Sequence, residues 1–370
     1  MTTTPAPKNW IWEVAVAVAI IAAIAAAAVW TRIYYNGSHY NGSHYNGSHY
    51  NRGHANFERG RYREAIANFD QAIRLEPDDA HIYVNRGVAK LFLGRYREAI
   101  ADYDHALRLE PDDAHTYVNR AGAKSSLGQS REAIADYDHA LRLMPDTAYI
   151  YVNRGQTKST LGQYREAIAD YDQALRLEPD NVRAYVSRGR ALSSLGEYEE
   201  AFADFDQALR LEPDNANIYT SRGNVKFDLG QIQEAFADYD QAVRLEPDDG
   251  YVYFARAYAR ADLGQYAEAI FDYDQALRLQ PYFAGAYVNR AQARIELGQF
   301  RKAITDYDQA VRLQPENAYV YFNRGLAKVD LGRSQEALAD LKAALEYARE
   351  AGDSDLITSI EEKVQEFEQE

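Results

Sequence analysis

Along residues 80–113, AHIYVNRGVAKLFLGRYREAIADYDHALRLEPDD, apolar side chains recur at intervals of three and four on both sides of Leu93, Gly94, Arg95 and Tyr96. That spacing puts them on one helical face, so the segment predicts a helix, a short turn and a second helix. Gly94 ends the first helix, and Pro111 stops the second from continuing. Pro77, Pro111, Pro145, Pro179, Pro213, Pro247, Pro281 and Pro315 stand 34 residues apart, and only Pro5 and Pro7 fall outside the series. Complete repeats begin at Ala80, Ala114, Ala148, Val182, Ala216, Gly250, Ala284 and Ala318, after a worn copy near Asn46. A period of this length marks a stacked array in which each repeat buries its apolar face on its neighbours. The predicted fold class is all-α.

The pattern changes at both ends. From Trp10 to Trp30 the chain is WIWEVAVAVAIIAAIAAAAVW, without a charge after Glu13, and a helix of about twenty residues rises about 30 Å, the thickness of a bilayer core. Trp10, Trp12 and Trp30 sit at its two edges, where amphipathic rings favour the lipid–water boundary. The segment is read as a single transmembrane helix over 10–30 behind a tail, 1–9; a cleaved signal peptide or an alanine-rich soluble helix are the alternatives. The terminal amine and Lys8 stand against Arg32 and the more distant Arg52, a slight excess that would place the repeats on the extracytoplasmic side. Residues 31–50, with three copies of Asn-Gly-Ser-His-Tyr, predict a flexible spacer before an array over 51–351. At the far end, 352–370 place Leu356, Ile360, Val364 and Phe367 on one stripe, as a solvating terminal helix requires.

Composition narrows the function. The formal net charge is −15, and no basic run interrupts it, so nucleic acid is not an expected partner. The chain has no cysteine, which excludes thiol chemistry and cysteine-ligated zinc. His39, His44, His49 and His54 recur every five residues, but in a segment without carboxylates or fixed geometry they read as solvated side chains, so no metal or other cofactor is expected. No P-loop, nucleophile elbow, metalloprotease helix or dinucleotide fingerprint occurs, so no enzymatic activity and no small-molecule substrate are expected.

Within the repeat, small residues at position 8 (Gly87, Ala121, Gly155, Gly189), alanine at 20 (Ala99, Ala133, Ala167), an aromatic at 24 (Tyr103, Tyr137, Tyr171, Phe205), alanine at 27 and proline at 32 resemble the tetratricopeptide repeat over residues 51–351. Two departures stand out. Position 7, usually leucine in that family, is arginine in every copy from Arg52 to Arg324. The second helix supplies two aspartates per repeat, such as Asp102 and Asp104, so interhelical ion pairs are the structural reading and an anion-binding row the functional one. Asp104 is also expected to support its own helix through Arg108, four residues on.

The resemblance implies a superhelical solenoid of about nine repeats with a terminal capping helix, and an inner groove walled by the first helices, chiefly at positions 2, 5, 6, 9, 12 and 13. Position 6 is asparagine in Asn85, Asn119, Asn153, Asn289 and Asn323. In related arrays such amides grip the main chain of an extended peptide; the alternative is that they bond within their own helices or to water. Val84, Val88, Leu91 and Phe92 are expected to form an apolar mouth, and Arg183 and Arg190 to add positive charge. Phe254, Tyr258 and Asp262 belong to an aromatic and acidic stretch suited to a basic or aromatic segment. The expected function is a membrane-tethered, non-enzymatic adaptor that holds peptide or protein partners. The alternative is a structural protein that oligomerises, or assists membrane-complex assembly, through its outer helix faces.

Overall fold

The computed structural model describes residues 49–368, with side chains to Glu366. Nineteen helices run along the described residues, and no strand occurs among them. The chain divides into two compact bodies, Met1–Leu211 and Glu212–Glu370. The N-terminal body contains α1 (His49–Glu58), α2 (Tyr62–Leu75), α3 (Ala80–Phe92), α4 (Tyr96–Leu109), α5 (Ala114–Ser126), α6 (Ser130–Leu143), α7 (Ala148–Thr160), α8 (Tyr164–Leu177), α9 (Val182–Ser194) and α10 (Tyr198–Leu211). The C-terminal body contains α11 (Ala216–Asp228), α12 (Ile232–Leu245), α13 (Gly250–Asp262), α14 (Tyr266–Leu279), α15 (Ala284–Glu296), α16 (Phe300–Leu313), α17 (Ala318–Asp330), α18 (Ser334–Ala351) and α19 (Ser354–Glu368).

Local chemistry sets these boundaries. Asp79 caps α3 by accepting from the His81 amide at 2.9 Å, and Asn181 caps α9 by accepting from the Ala184 amide at 2.9 Å. At the far end of α3, Gly94 adopts φ +72° while the Arg95 amide reaches back to the Lys90 carbonyl at 3.0 Å, closing the helix with a left-handed residue. The Glu110 amide takes the Ala106 carbonyl at 2.8 Å, and Pro111 then ends α4.

Packing follows the small-residue and aromatic positions. A Cβ on Gly87 would stand 2.7 Å from Cε1 of Tyr103, and one on Gly155 equally close to Tyr171, so the first and second helices meet where the side chain is missing. Tyr103, Tyr171, Tyr239, Tyr273 and Tyr307 are fully buried. Within each body, first helices of successive repeats also touch, α3 with α5, α5 with α7 and α7 with α9, then α11 with α13 and α13 with α15, so the first helices form a wall.

The ends have their own packing. Although the first repeat carries His49, Asn56 and, just past the helix, Arg59 where later repeats place tyrosine, lysine and leucine, α1 is a helix of ten residues that begins inside the third Asn-Gly-Ser-His-Tyr copy. Gly53 is buried against Phe69, and the Phe57 ring meets Tyr62 and Phe92 edge-on at 5.4 Å each. At the other end α18 closes on Gly352 at φ +71°, and Asp353 accepts from the Leu356 amide at 3.0 Å to start α19. Leu356 and Ile360 pack on Leu341, Ala344 and Ala348 with Val364 beside them; the Phe367 side chain lies outside the described ones. The segment expected to span a membrane, 10–30, lies outside the described residues, as does most of the spacer. Among the described residues no helix is long and apolar enough to cross a membrane.

Candidate peptide-binding groove

The position-7 arginines face a carboxylate on each side. Arg86 donates Nε and Nη2 to Asp102 at 3.0 and 2.6 Å, and Nη1 to Asp70 of the preceding repeat at 2.7 Å. Arg120, Arg154, Arg188, Arg256, Arg290 and Arg324 repeat this three-bond arrangement. Each guanidinium also lies by the position-4 tyrosine, 5.5 Å from the Tyr83 centroid for Arg86. Burial of Arg86 disfavours its charge, but hydrogen bonds and Coulomb attraction from Asp102 and then Asp70 outweigh that, and its pKa rises. The row is therefore structural: it joins two helices of one repeat and ties them to the repeat before.

The inner aspartates gain a second cation that the sequence reading overlooked. Lys90 reaches Asp102 at 2.7 Å, and Lys124, Lys158, Lys226, Arg260, Arg294 and Lys328 do the same in their repeats. Their common period was the available signal. Repeat five lacks this group because Leu192 stands there; burial raises the Asp204 pKa against the pull of Arg188. The expected Asp104–Arg108 pair does not form. Asp104 accepts from Arg120 at 2.6 Å instead, and Arg108 turns to His105 Nδ1 at 2.8 Å, since the half-buried guanidinium of the next repeat needs the carboxylate more than an exposed neighbour does.

The position-6 asparagines divide. Asn85 Nδ2 donates to the Tyr50 hydroxyl and to the His81 carbonyl, both at 3.0 Å, so it is bonded within the array. Asn153, buried at 6 % exposure, accepts from Arg183 Nη2 at 2.9 Å. The Nδ2 atoms of Asn119 and Asn289 are buried without a hydrogen-bond partner, and Asn323 is half-buried. These amides thus serve more than one purpose.

On the N-terminal wall, Val84, Val88 and Leu91 are buried, and Phe92 stacks on Tyr62 at 4.7 Å, so the expected apolar mouth is filled core. Two serines at position 12 of the same wall are bonded within the array: Ser125 meets Thr157 at 3.2 Å, and Ser159 meets the Tyr171 hydroxyl at 3.3 Å. Arg183 Nη2 bonds Asn153 and also Gln156 Oε1, at 2.5 Å. Arg190 lies two helix turns further on the same α9, and both guanidiniums act on the Tyr171 phenol.

On the C-terminal wall, Phe254 is 4 % exposed and sits between Phe283, 4.5 Å away, and Tyr273, so its ring is packing rather than ligand surface. Tyr258 is half-buried, and burial, then Asp262 and Asp228, push its pKa up to about 12. Asp228, Asp262, Glu296 and Asp330, all at position 13, are exposed. The tyrosines at position 24 reach the wall from beneath: Tyr239 donates its hydroxyl to Asn224 at 2.8 Å, whereas the buried Tyr273 hydroxyl has no partner under Tyr258. Among the described residues no cluster of metal-ligating side chains occurs.

Family models described as tetratricopeptide repeat match residues 80–113, 112–180, 152–216, 250–283 and 318–350, and one described as TPR repeat matches 53–91, 223–264 and 291–332. The chain belongs to the tetratricopeptide repeat family. Among solved structures it is similar to a tetratricopeptide repeat protein from Parabacteroides merdae, with 21 % identity, 68 % of this chain and 96 % of that one covered, and a TM-score of 0.59. It is also similar to a chain of the APC/C hetero-tetramer Cut9–Hcn1, with 18 % identity, 81 % and 59 % covered, and a TM-score of 0.50. Both likenesses concern the fold alone. No curated protein matches the chain.

Proposed function

We propose that this protein is a non-enzymatic scaffold that holds polypeptide segments along its first-helix walls. The observation that carries this is a contrast within each repeat. Position 7, constant along the array, is engaged by aspartates, whereas positions 2, 9 and 13 change from repeat to repeat and include charged groups, Arg183 and Asp262, that no ion pair within the described residues neutralises. Charge that the array does not neutralise is available to a partner. Near Tyr258, carboxylates and a half-buried ring suit a basic or aromatic segment. Fluorescence anisotropy of a labelled peptide of alternating lysine and phenylalanine, bound to the full chain, tests this. Tyr258→Ala with Asp262→Ala is expected to weaken binding about tenfold; equal binding removes the reading.

Residues 10–30 tether the scaffold to a membrane on this reading, which the uninterrupted apolar run and its bracketing tryptophans support. The full chain should stay with membranes through carbonate extraction, and deletion of 10–30 should release it. A reporter fused to Glu370 that works only in the cytoplasm would overturn the extracytoplasmic placement.

One observation favours a second reading, association through outer faces. Phe271 is 60 % exposed and Tyr282 86 %, where the other complete repeats carry smaller or polar residues. Light scattering of the full chain decides: concentration-dependent growth that Phe271→Ala abolishes would support association.

A further inference from the structure

The described arginines of the first helices at position 7 sit among carboxylates. Arg183 does not. Its two hydrogen bonds go from Nη2 to the neutral side-chain oxygens of Asn153 and Gln156, at 2.9 and 2.5 Å, and no carboxylate of the described residues forms an ion pair with it. The guanidinium is deeply enclosed, and burial lowers its pKa. It also lies in the first turn of α9, next to the capping residue Asn181, where the positive end of the helix dipole works against a cation. An enclosed positive charge costs several kcal/mol unless an anion or a full set of acceptors meets it, and here two of five donors are met.

The alternatives to an external ligand are weak. Equivalent places in other repeats hold His81, His115, Tyr149, Asn217, Tyr251, Gly285 and Tyr319, so the fold does not require a cation at this position. Asn153 and Gln156, on α7 of the preceding repeat, orient the head group and leave its charge unopposed. Arg183 keeps a partly exposed edge on the first-helix wall, and Arg190 adds a second positive charge close enough to act on the same Tyr171 phenol.

We propose that Arg183, positioned by Asn153 and Gln156, receives an oxyanion carried by a side chain of the bound polypeptide. The proposal rests on the reading of the walls as polypeptide-binding surfaces. The oxyanion is a carboxylate or a phosphoryl group, since either satisfies a guanidinium with short charge-assisted bonds.

Two measurements on the full chain test it. First, Nε–Hε resonances of labelled arginine are followed by NMR while sodium acetate, sodium phosphate or sodium chloride is added at matched ionic strength, with Arg183→Lys identifying the Arg183 signal. That signal should move saturably with acetate, phosphate or both, and whichever saturates at the lower concentration names the oxyanion. An Arg183 signal that responds to neither, or no more than to chloride, overturns the proposal. Second, anisotropy compares labelled peptides capped at both ends that differ only in a central run of glutamates, phosphoserines or glutamines. The anionic peptides should bind about tenfold more tightly than the glutamine one, and Arg183→Gln should abolish that preference. A preference that survives Arg183→Gln, or its absence in the wild-type chain, overturns the proposal. Binding of all three peptides alike would leave the polypeptide-binding reading standing and remove only this one; binding of none removes both.

Discussion

The first-helix walls of the two bodies are built on one scaffold and differ in what they present. In both, an arginine at position 7 joins aspartates, glycine closes the turn and an aromatic ring fills the gap beside a small residue. Position 13 is Phe92, Ser126, Thr160 and Ser194 in the N-terminal body, then Asp228, Asp262, Glu296 and Asp330 in the C-terminal one. The first wall has a cation without a carboxylate, the second carboxylates around a tyrosine. Where the 34-residue period is strict, residues engage one another; where it lapses, Arg183 and Asp262 carry charge that no ion pair among the described residues neutralises. Cohesion and recognition are thereby assigned to different positions of the same helices.

The sharpest break between the two roles is expected inside the ladder. Asp272, fully buried, bonds Arg256 twice and Arg260 once. Asp272→Ala leaves Arg260 without its carboxylate and Arg256 with Asp240 alone, and denaturant titration should show a loss of about 3 kcal/mol. Asp240 meets the same Arg256 from a side chain that is 47 % exposed, and Asp240→Ala should cost less than about 1 kcal/mol. Equal losses would mean that burial does not rank these contacts.

A smaller effect of opposite sign is expected in repeat five, where Leu192 replaces the second cation and the Asp204 pKa is raised by burial. A raised carboxyl pKa means that the protonated form favours folding, a contribution present at low pH and lost as pH rises through the folded value. Leu192→Lys should reverse this by holding the carboxylate ionised, stabilising the chain by about 1 kcal/mol at neutral pH. The gain should fade as pH falls through the carboxylate range. Destabilisation by Leu192→Lys at neutral pH would refute the account of the missing cation.

The smallest effect is spectroscopic. Tyr258, with its pKa near 12, should still be protonated where exposed tyrosines ionise. Asp262→Asn should bring it part of the way back, followed by NMR of ring-labelled tyrosine. No change would place Asp262 too far away to share a binding surface with Tyr258.

The fold was largely legible in the sequence because glycine, alanine, the aromatic and proline recur at positions where backbone geometry leaves few choices. The arginine row was legible too, since its aspartates keep the same period. Three things were harder. The Lys90-type cations share that period but resemble solvated charges until Asp102 is seen between them and Arg86. Val88 and Leu91 look like groove lining by position, yet they pack into the core cluster around Tyr103. The state of Arg183 depends on what does not surround it, and no spacing rule encodes a missing carboxylate.

The central claim, that constant positions hold the array together while variable wall positions receive a partner, is tested most directly by comparing Arg154→Ala with Arg183→Gln in the full chain. Both the unfolding midpoint and the affinity for the capped anionic peptides should be measured. The account predicts that Arg154→Ala lowers the midpoint sharply, because it removes three hydrogen bonds to Asp170 and Asp138 and leaves the buried Asp170 with Lys158 alone, and that Arg183→Gln keeps or raises the midpoint and binds the anionic peptides no more tightly than the glutamine one. An Arg183→Gln chain that unfolds as readily as Arg154→Ala, or that binds as tightly as wild type, would contradict it.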